Sequence, residues 1–342
     1  TMASAFATIA QCATTAPLNP NYREEEFVFY LEDLNAKAVV VNKDYEGPAA
    51  LAAQRLNIQI IRLVESKGIA GLFSIEAEKK GNVIEDEVVN ENDVALILHT
   101  SGTTSRPKIV PLLQSNIAAS ASNIAQSLSL SSSDRCMNVM PLFHIHGLIA
   151  AVSASLTAGA SIWCSSGFNA LSFFSNLDEA KPTWYTAVPT MHQAILARAG
   201  RNAETIENNP LRFLRSSSAS LPAQVMGELV EIFGAPVVEA YGMTEATHQM
   251  CCNRLDKQKP GSVGIPAGPS VKIAHEVDNR FLMGTGEVVI SGDSVTPGYE
   301  NNLEANEKSF FEIGGERWFR TGDQGAFDED GFLYLTGRLK EI

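Results

Sequence analysis

From Asp93 to Gly242, short runs rich in β-branched and aromatic residues take turns with runs whose apolar residues recur every three or four positions. That rhythm is the signature of an α/β sheet whose strands are connected by helices, because each strand must be covered by the helix that leads to the next. The runs DVALIL, CMNVM, ASIW and TWYTAV read as strands, and FFSNLDEA and TMHQAILARA as helices. ASNIAQSL carries Ala121, Ile124 and Leu128 on one helical face, with Ser115 as its expected cap. LRFLRS then leads through PAQVMGELVEIF to PVVEAYG.

Two further strands, AKAVVVN (36–42) and IQIIRLV, precede this region. The charged segment AGLFSIEAEKKGNVIEDEVVNEND is most simply a solvent-facing loop. After Gly261, glycines and prolines punctuate short strands such as GEVVIS and GFLYLTG, which predicts a smaller β-rich subdomain.

A chain of 342 residues, 45% hydrophobic, is long enough for a sizeable core and more than one domain. Its formal charge of −13 counts against nucleic acid or an anionic membrane as partner, while leaving room for a local phosphate pocket. Its cysteines are odd in number and lack metal-type spacing, so a reducing compartment is expected. No apolar run has the length of a transmembrane segment and no secretory leader is visible. The opening TMASAFATIAQ and the closing LTGRLKEI both read as cut ends.

One stretch has almost nothing to pack. HTSGTTSRPK, residues 99–108, follows a strand and offers Ser101, Thr103 and Thr104 as hydroxyl donors, Gly102 for a tight path and Lys108 for a phosphate. The glycine-lysine spacing of the common P-loop fails here, and on composition alone the stretch reads equally as a solvent loop.

Taken in order, HTSGTTSRPK, PLFHIHGL, VEAYGMTEATHQM, WFRTGD and GRLKE resemble the motifs of the AMP-forming acyl-CoA synthetases, the adenylate-forming superfamily. Within it the text most resembles the oxalate-CoA ligases of plants and fungi, through LNPNYREEEFVFYLEDL, ALILHTSGTTS, PLFHIHGL and EATHQM. Ser105, where many relatives carry a second glycine, reads as a mark of that branch. The resemblance implies the large N-terminal domain of the adenylate-forming fold: two layered αβ subdomains over 1–260, a β-rich subdomain over 261–335, and 336–342 as a hinge, with Lys340 at its pivot, to a small C-terminal domain that is absent. That domain would carry the family's catalytic lysine.

The same resemblance implies the roles of individual residues. Ser101, Gly102, Thr103, Thr104 and Lys108 would hold the β- and γ-phosphates of ATP, with Lys108, Thr244 and Glu245 assisting the chemistry. Glu239 and Ala240 would lie along adenine, Tyr241 flat against it, Thr244 on the α-phosphate and Glu245 on Mg²⁺, a hard cation suited to carboxylate oxygen. Asp323 would take both ribose hydroxyls, joined by Arg338. The implied co-substrates are ATP, coenzyme A and a small carboxylic acid, and the implied location is the cytoplasm or the peroxisome.

The acid is implied first by the resemblance to the oxalate-CoA ligases, and side-chain chemistry adds to it. His144, His248, Ser217 and Ser218 are candidate donors to a substrate carboxylate, and an imidazole suits an acid with a second negative charge, which favours a very short dicarboxylate such as oxalate. A packed, structurally bonded histidine is the other reading of His144. At the level of function the alternatives are a non-catalytic nucleotide-binding module, a carrier-protein-loading adenylation domain, and a ligase for a medium-chain or aromatic acid.

Overall fold

A computed structural model of the chain describes residues 1–77, 89–100 and 107–339. The chain divides into two compact units, Thr1–Leu96 and Ile97–Ile342. In the first, the strand Ala38–Asn42 pairs in parallel with Gln59–Glu65, which pairs antiparallel with Phe73–Ala77. Helices Glu24–Asp33 and Pro48–Arg55 close its core, with Phe27, Leu31, Ala50 and Ala53 buried. The strand Phe73–Ala77 corrects the expectation of a loop from residue 70 onward: Ser74, Ile75 and Glu76 are all exposed, so the segment has the look of a loop, yet its backbone completes the sheet edge.

The second unit is built on a seven-stranded sheet. Its order is Ile265–Pro266, His248–Cys252, Val237–Met243, Phe213–Ser217, Trp184–Ala187, Arg135–Asn138 and Ser161–Cys164. The five strands from Val237–Met243 to Ser161–Cys164 are parallel. Met137, Tyr185 and Leu214 enter one buried layer with Phe173, Leu177, Ile195, Leu229 and Phe233 of the helices Phe173–Ala180, Pro189–Ala199 and Ala223–Phe233. Cys136, Trp184 and Phe213, their neighbours in sequence, are buried as well, as strands covered on both faces require.

Topology places the functional edge. Arg135–Asn138 is flanked by the strand that follows it in sequence on one side and by Trp184–Ala187 on the other, so the winding direction reverses there. In open α/β sheets the crevice outside the carboxyl ends of the strands at such a reversal is where ligands bind. Asn138, Ala187, Ser217 and Met243 end their strands on that edge.

The helix Gln114–Ser127 and the π-helix His146–Ser153 pack against the strand His248–Cys252. Ser115 lies inside the first of these and not at its cap: the chain runs straight from the strand Lys108–Leu113 into the helix, and Asn116 Oδ1 accepts the Leu113 N–H at 2.9 Å. The last part of the unit is an antiparallel sheet of six strands, in which Glu316–Phe327 pairs with Gly286–Ser291, Phe310–Ile313 and Leu333–Arg338. Among the described residues no helix is long and apolar enough to cross a membrane.

Candidate active site

The strand Val237–Met243 brings the first group of residues to the carboxyl edge. Glu239 is buried; its Oε1 accepts the Leu221 N–H at 2.9 Å while Oε2 has no partner. Burial raises its carboxyl to about 7. The Ala240 carbonyl accepts from Ser217 Oγ at 2.8 Å, so the Ser217 proton is committed to backbone. Tyr241, 9% exposed, donates its hydroxyl to Asp323 Oδ2, and Arg338 Nε donates to Asp323 Oδ1 at 3.1 Å. Asp323, on the β-rich sheet, is thus tied to the tyrosine that the resemblance assigns to adenine.

Past the strand, Thr244 opens a short turn of helix whose second residue, Glu245, is buried. Glu245 Oε1 accepts the Tyr299 hydroxyl at 2.8 Å, and the Lys108 ammonium lies 4.2 Å from the centroid of the Tyr299 ring. Thr296 ties these pieces together: its N–H donates to the Glu245 carbonyl at 2.8 Å and its hydroxyl to the Pro111 carbonyl at 2.7 Å. Lys108 and Glu245, far apart in sequence, are therefore held on one clamp. Ser101, Gly102, Thr103, Thr104 and Lys340 lie outside the described residues.

Among the described residues no group of three His, Cys, Asp or Glu could hold a metal. A single buried carboxylate fits Mg²⁺, which keeps water and phosphate oxygens in most of its six positions and takes one or two carboxylates from protein.

A second group surrounds the sheet reversal. His146, fully buried, has Nδ1 3.0 Å from Ser218 Oγ and Nε2 2.5 Å from Thr186 Oγ1. His144, the histidine favoured by the sequence, is exposed and its Nδ1 accepts the His146 N–H at 3.3 Å. Gly147 carries the tight entry into the π-helix, since a Cβ there would come within 2.4 Å of the Pro141 carbonyl. Ser218 is exposed, with φ 72°.

His248 packs its ring edge-on to His146, centroids 5.0 Å apart, and its buried Nδ1 has no partner. Thr247 and His248 both have positive φ, 50° and 95°, in side chains that disfavour it. Two hydrogen bonds hold this turn, Ser120 Oγ to the Thr247 carbonyl at 2.5 Å and Thr247 Oγ1 to the Ser294 carbonyl at 2.7 Å. Opposite it a Cβ on Gly242 would lie 1.8 Å from the His248 carbonyl, which restricts that position to glycine.

Arg215 is the residue that sequence reasoning passed over. It is fully buried, and among the described residues no carboxylate pairs with it. Nη2 donates to Gln249 Oε1 at 3.1 Å, Nη1 to His146 Nε2 at 3.4 Å and to Thr186 Oγ1 at 3.5 Å, and Nε has no partner. Burial, followed by the Arg215 charge, holds His248 well below the ordinary histidine range; His146 is held down first by burial and then by His248. Both rings are neutral, and the fixed positive charge of the cluster is the guanidinium.

The sequence profile of the AMP-binding enzyme family matches residues 1–300, and the chain belongs to that family. More particularly, it is 46% identical over 345 aligned residues to an oxalate--CoA ligase of Arabidopsis thaliana, which covers 98% of this chain and 66% of that protein. It is 41% identical to an oxalate--CoA ligase of Saccharomyces cerevisiae, with 96% and 64% covered. The fold matches that of an ATP-bound MatB from Rhodopseudomonas palustris with TM-score 0.82 at 27% identity, over 99% of this chain and 67% of that one. The chain thus spans a little under two thirds of the curated relatives' length.

Proposed function

We propose that the protein this chain belongs to is an AMP-forming carboxylate-CoA ligase and that its acid is oxalate. The observation that carries the reading is the pairing of two sites on one sheet edge. Glu239, Tyr241, Asp323 and Glu245 form a nucleotide-type constellation, and beside it a polar cluster of Ser218, His146 and His248 surrounds an unpaired buried cation, Arg215. A fatty-acid pocket has no use for such a cluster, whereas the distal carboxylate of a short diacid needs donors and positive charge once it leaves water. Relatives named oxalate--CoA ligase, at 46% and 41% identity, support the same acid.

In the reaction a carboxylate oxygen of the acid attacks the α-phosphorus of ATP, forming the acyl-adenylate and releasing pyrophosphate. The CoA thiolate then attacks the acyl carbon, forming the thioester and releasing AMP. Tyr241 offers its face to the base, Asp323 with Arg338 its oxygens to the ribose, and Lys108 a mobile charge to the phosphates. Glu245 would hold Mg²⁺, which neutralises phosphate charge when bound. Thr244, at the opening of the turn after the strand, would follow the α-phosphate with its hydroxyl. Ser218 and His248 face the acid, and no protein nucleophile is needed.

The test is pyrophosphate release by the full-length protein with ATP and CoA over oxalate, malonate, acetate, a medium-chain fatty acid and coumarate. Highest kcat/KM with oxalate is the expected result. Preference for a monocarboxylate would reject the acid, and no release with any of them would favour a nucleotide-binding module.

A further inference from the structure

Arg215 cannot accept a hydrogen bond, which constrains the proton of its neighbour. Its Nη1 donates toward His146 Nε2 at 3.4 Å inside a fully buried site, so Nε2 must present a lone pair there; an N–H would be set against the guanidinium without water to screen it. Thr186 Oγ1 accepts from the same Nη1 at 3.5 Å and, 2.5 Å from Nε2, is the nearer donor to that nitrogen's single lone pair, which the longer Nη1 contact shares. The proton of neutral His146 is left on Nδ1, where Ser218 Oγ is 3.0 Å away and accepts it. With one lone pair of Ser218 taken by His146, its hydroxyl hydrogen is left for another acceptor.

We propose that Arg215 and Thr186 are positioning residues that lock His146 in the Nδ1–H tautomer, and that this one-way chain of donors presents the Ser218 hydroxyl hydrogen to an anionic oxygen of the acid. The chain explains why a guanidinium is buried with Gln249, Thr186 and a histidine as partners in place of a carboxylate: a carboxylate would cancel the field that polarises the chain. It also explains the left-handed backbone of Ser218, which carries its Oγ back to His146 while the residue stays exposed.

The inference rests on the ligase reading for the identity of the acid, but the tautomer is measurable without turnover. In the full-length protein labelled with ¹⁵N-histidine, the His146 resonances, identified by their loss in His146→Gln, are expected to show Nδ1 protonated and Nε2 bare. In Thr186→Val and in Arg215→Met, which trades a buried cation for a side chain of similar length, a mixture of tautomers is expected. Ser218→Ala and Arg215→Met are each expected to lower kcat/KM for oxalate by about 10- to 100-fold, the double variant falling no further than the worse single one. A wild-type His146 protonated on Nε2, or an unchanged tautomer in both variants, overturns the chain whatever acid the enzyme takes. The expected tautomer together with poor oxalate turnover upholds the chain and rejects only the acid. Thr186→Val keeps the test open if Arg215→Met does not fold.

Discussion

The Tyr299 hydroxyl donates to Glu245 Oε1 at 2.8 Å, while the ring of the same tyrosine lies 4.2 Å beneath the Lys108 ammonium. One residue, unremarked in the sequence, thereby orients both a phosphate-side cation and the carboxylate assigned to the metal. Burial and the adjacent Glu245 charge push the Tyr299 phenol upward, so it stays a donor throughout the physiological range.

Tyr299→Phe keeps the ring under Lys108 and deletes only the hydrogen bond. Stability is expected to fall by about 1–3 kcal/mol, as for a bond to a charged acceptor, and the Mg²⁺ concentration needed for half-maximal pyrophosphate release is expected to shift. An unaltered Mg²⁺ titration with reduced stability would assign Tyr299 to packing alone.

Lys108→Ala separates the two half-reactions. Because the role proposed for the lysine is on the phosphates, acyl-adenylate formation in the full-length enzyme is expected to slow on the order of 100-fold, with CoA transfer from supplied acyl-adenylate little affected. Equal losses in both steps would refute a phosphate role.

Much of this arrangement was legible in the sequence. The strand-helix alternation predicted the α/β class, and FFSNLDEA coincides with the helix Phe173–Ala180 because its apolar residues all fall on the buried face. Motif residues Tyr241, Asp323 and Arg338 do come together. The misses share a cause: Arg215, Thr186 and Tyr299 act through partners brought close only by the sheet order, and no local pattern distinguishes a buried arginine from the surface kind. His144 and His146 are two residues apart, and the π-helix beginning at His146 decides which ring turns inward.

Asp323→Ala tests the ribose assignment. Both Asp323 oxygens are engaged, by Tyr241 and Arg338, so the substitution also frees the tyrosine from its anchor. AMP affinity measured calorimetrically without metal is expected to drop about 10- to 100-fold. Wild-type affinity in the variant would remove Asp323 from the nucleotide site.

Glu239 supplies a pH dependence with a definite sign. Burial raises its carboxyl from the ordinary 4.5 to about 7, so between those values the folded state holds a proton that the unfolded chain has released. Its stabilising contribution is complete below 4.5 and is lost as pH climbs through 7. Glu239→Gln removes that loss: the variant is expected to gain on wild type by up to about 3 kcal/mol between pH 4.5 and 8 in denaturant titrations. A pH-independent difference would show that the carboxyl ionises normally.

His248 is the more exposed assignment, because its surroundings disfavour a charged ring. Burial and the Arg215 charge oppose protonation, so its service to a dianionic acid is a hydrogen bond, with the positive charge left to Arg215. The ring has an uncommitted nitrogen for this: its Nδ1 is buried and without a partner, its backbone is held at φ 95°, and it packs edge-on against His146, whose own Nδ1 lies beside Ser218. His248→Ala removes the ring and leaves the Arg215 network intact, so oxalate should lose kcat/KM by about 10- to 100-fold while acetate loses little. His248→Asn, which retains a side-chain donor, should recover part of the oxalate activity. If oxalate and acetate decline in step, the histidine packs beneath the nucleotide strand and selection of the acid falls to Ser218 and Arg215 alone.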